Sequence, residues 1–131
     1  MQKTATVAVI NSEQKLLLLR RGNSAPWMPG RYCLPGGHAE PNEDLAYAAS
    51  RELSEEAGIS YSVDEFKSIN IQYKNGYSKT VWMAIVNSDK VVLNWEHDDY
   101  LWVSSAESST IDLVPGLSTT IKTLADRGHV I

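Results

Sequence analysis

The chain of 131 residues contains only one cysteine, Cys33. A single cysteine cannot form an internal disulfide, so the sequence favours a reducing compartment, with Cys33 as a small buried apolar residue. The chain also lacks a long apolar run, since none approaches the ~18 residues that a membrane span needs. Residues 1–10 lack the apolar length and cleavage pattern of a signal peptide. We therefore expect a cytoplasmic protein with no membrane segment.

Positive charge is also scarce. Twelve Lys and Arg residues face sixteen Asp and Glu residues, which gives a net charge of −4. Proteins that grip DNA or RNA through the backbone need a basic face, so we expect no nucleic-acid partner. A small phosphorylated ligand is still compatible, because a bound metal ion can bring the positive charge.

Hydrophobic residues make up 43% of the chain and charged residues 21%, which is typical of a globular protein. No repeat or linker divides the sequence, and we predict one domain over residues 1–131. The patterns predict strands at residues 4–10, 15–20, 31–34, 61–73, 77–86, 91–93 and 100–103, a turn at 35–37, and helices at 44–57 and 113–127. This mixture of strands and two helices indicates an α/β fold in which helices cover a central sheet.

The predicted helix at residues 44–57 carries Glu52, Glu55 and Glu56 at positions i, i+3 and i+4. That spacing puts like charges side by side. On a helical wheel Glu56 falls inside the apolar stripe and Glu52 on its edge, where an unpaired carboxylate is strongly disfavoured. Arg51 alone cannot neutralise three carboxylates, so a metal ion or a solvated acidic helix end remain the two explanations.

The segment from Gly37 to Ile59 resembles the Nudix box in full. The matching positions are Gly37, Glu43, Arg51-Glu52-Leu53, Glu55-Glu56 and Gly58-Ile59. The flanks are similar too, with Pro35-Gly36 before the box, an apolar strand at residues 16–19 and a late strand at residues 100–103. One common glycine of the loop is replaced by Asn42, which tolerates the left-handed conformation better than most residues.

This resemblance implies a Nudix-type α/β/α sandwich with a central mixed sheet, and hydrolysis of a nucleoside diphosphate linked to another group. The reaction would depend on Mg²⁺, with Mn²⁺ as a possible substitute. Glu52, Glu55 and Glu56 would bind the metal together with the Gly37 carbonyl, and Arg51 would orient the glutamates. Glu43 would brace the loop or join an outer metal, and a glutamate or another carboxylate would activate the water.

A second group of residues lies at Glu96-His97-x-x-Tyr100-x-Trp102, which resembles GDP-mannose hydrolases and some members that act on nucleoside triphosphates. His97 could act as a base near neutral pH, where histidine titrates. The alternative is a loop histidine that only supports the following strand. Glu96 could be a further metal ligand.

Candidate substrate-binding residues lie outside the box. Arg20, Arg21 and Arg31 could hold phosphate oxygens, while Trp27 and Tyr77 could stack on a base, although each could equally be surface or core. We therefore predict a nucleotide pyrophosphohydrolase acting on a nucleoside triphosphate or a nucleotide sugar. The rival is a non-catalytic nucleotide-sensing module on the same fold, and small size and acidic charge disfavour an RNA-cap hydrolase. A homodimer is possible.

Overall fold

A computed structural model describes residues 3–131. The strands are β1 (Thr4–Ile10), β2 (Leu16–Arg21), β3 (Tyr32–Cys33), β4 (Gly36–His38), β5 (Lys67–Gln72), β6 (Ser78–Ile85) and β7 (His97–Val103). The helices are α1 (Leu45–Ala57), α2 (Ser105–Ser108) and α3 (Leu117–Asp126), with a short 3₁₀ turn at Val63–Glu65.

The seven strands form one mixed sheet. Its main path runs β3-β2-β1-β6-β5, while β4 pairs with β1 and β7 pairs with β2. The β1–β6 pair is parallel, and the other named pairs are antiparallel. The central mixed sheet expected from the sequence is therefore confirmed.

Helices cover both faces of this sheet. Alternate side chains of β1 point to opposite faces, and both sets are buried. Val7 and Val9 belong to the core that includes Leu53 of α1. Ala8 and Ile10 belong to a second core, which includes Ile121 and Leu124 of α3. The arrangement is the predicted α/β/α sandwich. No helix within residues 3–131 has the length and apolar character to cross a membrane.

Helix α1 occupies almost the range predicted for it. Asp44 precedes its first residue, and Gly58 ends it with φ 66° while donating its N–H to the Ser54 carbonyl at 3.1 Å. This left-handed conformation favours glycine, which is why helices commonly end there. The apolar residues Ala49 and Leu53 are fully buried, as the helical wheel predicts.

Two predicted elements are wrong in place or kind. Residues 91–93 form no strand, because the Val92 N–H donates to the Ala57 carbonyl at 2.9 Å and closes the segment over the end of α1. The last helix begins at Leu117 instead of residue 113. Leu113 forms a parallel bridge with Tyr32, and the Val114 N–H donates to the Tyr32 carbonyl at 3.0 Å, so these residues extend the sheet edge.

Two further corrections concern the site. The predicted turn at residues 35–37 is a strand from Gly36 onward, with Gly37 opposite Ala5 of β1. The late strand starts at His97, not at residue 100, and His97 pairs with Arg21 after a register shift that leaves Asp98 as the extra residue of β7. The view of His97 as a loop histidine is therefore wrong.

Candidate active site

A cleft of about 550 Å³ opens where β4, the start of β1 and the start of β6 meet the loop before α3. The end of α1 and the loop after β2 close its sides. The lining residues that matter below are Arg21, Trp27, Cys33, Gly36, Gly37, Glu56, Lys79, Glu96 and His97. Residues from both halves of the sequence therefore meet in one cavity.

Two glycines bring the backbone of β4 up against the glutamates. Gly36 has φ 150°, and a side chain there would collide with the Ala5 carbonyl oxygen. A Cβ added at Gly37 would lie 2.7 Å from Oε1 of Glu52, which is too close for any real side chain. The Glu52 carboxylate therefore fills the space beside Gly37 that a side chain would need.

Glu56 is a buried carboxyl group with one hydrogen-bond donor. It is 4% exposed, and its Oε1 accepts the Gly36 N–H at 2.8 Å. Burial raises the pKa of Glu56 to about 8, and the charges of Glu52 and Glu96 add to the rise, while the Gly36 amide opposes it. No salt bridge within residues 3–131 joins Glu56 to a cation. The side chain lacks the compensating charge that the helical wheel predicted it would need.

Glu52 and Glu55 differ from Glu56 in their surroundings. Glu52 is 9% exposed and lies 3.1 Å from Nη1 of Arg51. Burial raises the pKa of Glu52, while Arg51 opposes the rise. Glu55 is exposed, lies 3.4 Å from Arg51, and lines a separate surface hollow instead of the cleft. The structure thus brings two of the three predicted glutamates to β4.

Arg51 joins the loop after β4 to α1. Its Nε and Nη2 donate to the two Glu43 carboxylate oxygens at 2.8 and 2.9 Å, and Nη2 also donates to the His38 carbonyl at 3.2 Å. These bonds and the Glu40 N–H hold the pKa of Glu43 down to about 2. Glu43 is therefore tied to Arg51 as the brace of the loop, which was one of the two roles predicted for it.

The donors fit a hard divalent cation, although no three His, Cys, Asp or Glu side chains within residues 3–131 are already grouped as a metal site. Mg²⁺ usually takes one or two carboxylates and fills its remaining positions with water and substrate phosphates. The site offers oxygen donors of this kind: the buried Glu56 carboxyl, the adjacent Glu52 carboxylate and the Gly37 backbone carbonyl. Glu96 faces the same cleft.

His97 is enclosed more than a solvent-accessible base would be. It is 5% exposed, its Nε2 lies 3.6 Å from the Cys33 thiol, and its Nδ1 is buried without a partner. Burial lowers the pKa of His97, so the ring is neutral at neutral pH. Burial likewise raises the pKa of the Cys33 thiol to about 11, which agrees with the prediction of an inert apolar cysteine.

The predicted substrate-binding residues separate into two groups. Arg21 and Trp27 line the cleft, and the arginine Nε donates to the Trp27 carbonyl at 2.6 Å while its guanidinium lies 5.2 Å from the indole centroid. Outside the cleft, Arg20 pairs with Asp98 at 2.7 Å and Arg31 lies 3.6 Å from Asp112. Tyr77 is 61% exposed and lines an adjoining cavity.

Sequence reasoning missed two residues of the cleft. The Gly36 N–H donates a hydrogen bond to Glu56. The consecutive glycines after Pro35 already indicated that the backbone can approach another group closely there. Lys79 had no comparable signal, because it lies far from the box in sequence and reaches the cleft only through the pairing of β6 with β1.

The family model for the NUDIX domain matches residues 1–123. The chain belongs to the Nudix family. The match confirms the resemblance drawn from residues 37–59.

Known Nudix proteins resemble the chain over different lengths. A nucleoside triphosphatase, NudI, of Klebsiella pneumoniae is 28% identical and covers 92% of this chain and 94% of its own. The m7GpppN-mRNA hydrolase NUDT17 of Danio rerio is 48% identical, but over 45% of this chain and 20% of its own. The Ap4A hydrolase of C. elegans, solved as a binary complex, has a TM-score of 0.73 at 25% identity, covering 95% of this chain and 97% of its own.

Proposed function

We propose that this Nudix protein hydrolyses a phosphoanhydride bond in a small nucleotide, either a nucleoside triphosphate or a nucleotide sugar, with Mg²⁺ as the resident ion and Mn²⁺ as a substitute. The observation that carries the proposal is Glu56. Its carboxyl group is buried beside β4, where it accepts one hydrogen bond from the Gly36 N–H and pairs with no cation. It lines a cleft large enough for a nucleotide.

The similarity along nearly the whole length to a protein named nucleoside triphosphatase supports this class of substrate. The stronger identity to an mRNA hydrolase covers less than half of this chain and supports the shared box more than a shared substrate. The chain is therefore proposed to be a single domain acting on free nucleotides, in the cytoplasm.

The residues of the Nudix box have proposed tasks. Glu52 and Glu56, with the Gly37 carbonyl, would hold the ion, and Glu55 would reach it from the exposed side of α1. Arg51 positions Glu52 through the 3.1 Å contact and does not itself line the cleft. The ion supplies neutralisation of the phosphate oxygens and a more acidic water.

The substrate would meet the remaining walls. Trp27 offers an exposed ring to a base, and Arg21 is fixed beneath it by its bond to the Trp27 carbonyl. Arg20, Arg31 and Tyr77 lie outside the cleft and would act only on parts of a substrate that extend beyond it. The proton acceptor for the attacking water is proposed to be a carboxylate, with the neutral but enclosed His97 as the second candidate.

A substrate panel tests the function. Nucleoside triphosphates, nucleotide sugars, ADP-ribose, dinucleoside polyphosphates and a capped RNA are incubated with Mg²⁺, with Mn²⁺ and with EDTA, and phosphate and pyrophosphate release are measured. We expect turnover of a triphosphate or a nucleotide sugar that EDTA abolishes. Tight nucleotide binding without turnover of any candidate would instead support the sensing module, and turnover of capped RNA alone would contradict the proposed substrate class.

The oligomeric state is a separate measurement. Light scattering during size-exclusion chromatography distinguishes a 14.5 kDa monomer from a homodimer.

A further inference from the structure

A lysine lies in the cleft away from the Nudix box. Lys79 is the second residue of β6, and it lines the same cavity as Gly37 and Glu56. Within residues 3–131 its side chain takes part in no salt bridge and no side-chain hydrogen bond. The ion pairs formed by Lys15 and Lys122 show that carboxylate partners are available elsewhere on this protein.

The position of Lys79 is unusual for an ammonium group. Alternate residues of a strand point to the same face, so Lys79 shares its face with Val81 and Met83, which belong to the core beneath α3. Burial lowers the pKa of Lys79, and the absence of an acidic partner leaves nothing to offset it. A half-buried cation without a partner costs stability, and a bound anion would remove that cost.

The cavity itself continues past this lysine. A second cavity of about 450 Å³ shares Lys79, Pro115 and Gly116 with the cleft and ends at the hairpin that carries Tyr77. Lys79 therefore stands where the two cavities join, with the glutamates at one end of the combined groove and the tyrosine hairpin at the other.

We propose that Lys79 binds a phosphate group of the substrate and directs the phosphate chain from the metal-binding glutamates toward the hairpin. This rests on the proposed function, because it assigns the cleft to a polyphosphate. The charges agree with it, since Glu56 and Glu96 line the cleft and Lys79 offers a positive charge where the two cavities join. A chain of linked phosphates carries several negative charges, so it can contact both a metal ion at the glutamates and Lys79, whereas a single carboxylate can contact only one of them.

The variants are K79M, K79R and, as a matched control, K90M. Methionine keeps the apolar stem of lysine and removes its charge, while arginine keeps the charge. Lys90 is an exposed lysine that lines neither cavity. Melting temperatures identify any variant that fails to fold, and K79Q, which also removes the charge, then serves in place of K79M.

The probe is imidotriphosphate, a tripolyphosphate with non-hydrolysable nitrogen bridges, titrated with Mg²⁺ by calorimetry so that no turnover is needed. We expect K79M to weaken its binding by about 10- to 100-fold, the usual effect of losing a hydrogen bond to a charged group. K79R should retain most of the affinity, and K90M should stay within about twofold of the natural protein. For any nucleotide that turns over, K79M should raise KM by a similar factor with kcat nearly unchanged.

The outcomes separate this inference from the proposed function. Imidotriphosphate binding that depends on Lys79 in a protein that hydrolyses nothing would support the inference and overturn the hydrolase. Normal turnover by the natural protein, with K79M equal to K90M in both affinity and KM, would overturn the role of Lys79 and leave the hydrolase intact.

Discussion

Glu43 and Glu56 belong to the same Nudix box, yet their surroundings are opposite. Glu43 receives two bonds from the Arg51 guanidinium, and its pKa falls to about 2. Glu56 receives one amide bond and no cation, and burial raises its pKa to about 8. The difference shows that an acidic motif can contain two kinds of carboxylate, one paired with a cation of the protein and one buried without such a partner.

Helical geometry explains why one arginine serves only one side of the motif. Arg51 points toward the loop after β4, where it reaches Glu43 and the His38 carbonyl. Glu56 lies among the apolar residues of α1 and faces β4 instead. Arg51 therefore pairs with Glu43 and with Glu52 at the edge of the proposed metal site, but it does not reach Glu56. Three substitutions test this difference.

The largest expected effect is on turnover in E56Q. Glutamine keeps the size of the side chain and can still accept the Gly36 N–H, but it removes the charge that would bind the ion. Because even outer partners of a metal site typically cost roughly 10- to 100-fold when removed, we expect kcat/KM to fall by more than about 100-fold. The measurement is steady-state kinetics on the nucleotide identified in the panel. Full activity in E56Q would show that Glu56 binds no catalytic ion.

The same variant should be more stable than the natural protein when metal is absent. The pKa of Glu56 is raised from 4.5 to about 8 on folding. Between these pH values the unfolded carboxyl ionises and the folded one does not, so the natural protein loses stability as pH rises from 4.5 to 8. Since each pKa unit corresponds to about 1.4 kcal/mol, and part of the shift is shared with Glu52, E56Q should be about 2–4 kcal/mol more stable at pH 8.

Urea unfolding in EDTA at pH 5 and pH 8 measures this difference. The difference should be much smaller at pH 5, because that pH lies only slightly above the unfolded pKa of 4.5. Added Mg²⁺ should raise the stability of the natural protein at pH 8 and have little effect on E56Q. Equal stability at pH 8 without metal would show that Glu56 is compensated in some other way.

R51M tests the brace. Removing the guanidinium leaves Glu43 and Glu52 without their cation, so the melting temperature at pH 7 should fall by several degrees. The lowered pKa of Glu43 gives stability above pH 4.5 that is lost as pH falls toward 2, and R51M should lose this acid dependence. Thermal melts from pH 3 to pH 7 measure both effects. K122M, which removes an exposed pair with Asp126, is the control and should change little.

The smallest effect on stability is expected for E55Q. The Glu55 side chain is 51% exposed and lies 3.4 Å from Arg51, so its loss should change the free energy of unfolding by no more than about 0.5 kcal/mol. Turnover should fall, but by less than in E56Q, because Glu55 does not line the cleft. A drop in melting temperature as large as that of R51M would place Glu55 in the brace instead.

The sequence was most informative where the pattern was local. The helical wheel of α1 predicts the burial of Glu52 and Glu56, because the angle between residues of one helix is fixed. The buried Leu16–Leu19 run likewise predicts a strand covered on both faces. These features need no knowledge of distant contacts.

The rest of the site depends on contacts between distant parts of the chain. Strand β4 exists because Gly37 meets Ala5, and His97 joins a strand because β7 pairs with β2. Lys79 enters the cleft only through the parallel pairing of β6 with β1. No periodicity near these residues predicts such strand pairings. The Nudix box was therefore predictable from the sequence, whereas the residues that line the rest of the cleft were less so.

The contact between Gly37 and Glu52 has a consequence for how this protein can change through mutation. The carboxylate occupies the volume that any side chain at Gly37 would need. A methyl group introduced at that glycine would displace the glutamate and disturb the charge site even though it alters no charge. The two positions are therefore coupled: a small side chain at Gly37 can be accommodated when the flexible Glu52 side chain moves aside, so such a substitution should act on the charge site more than on folding.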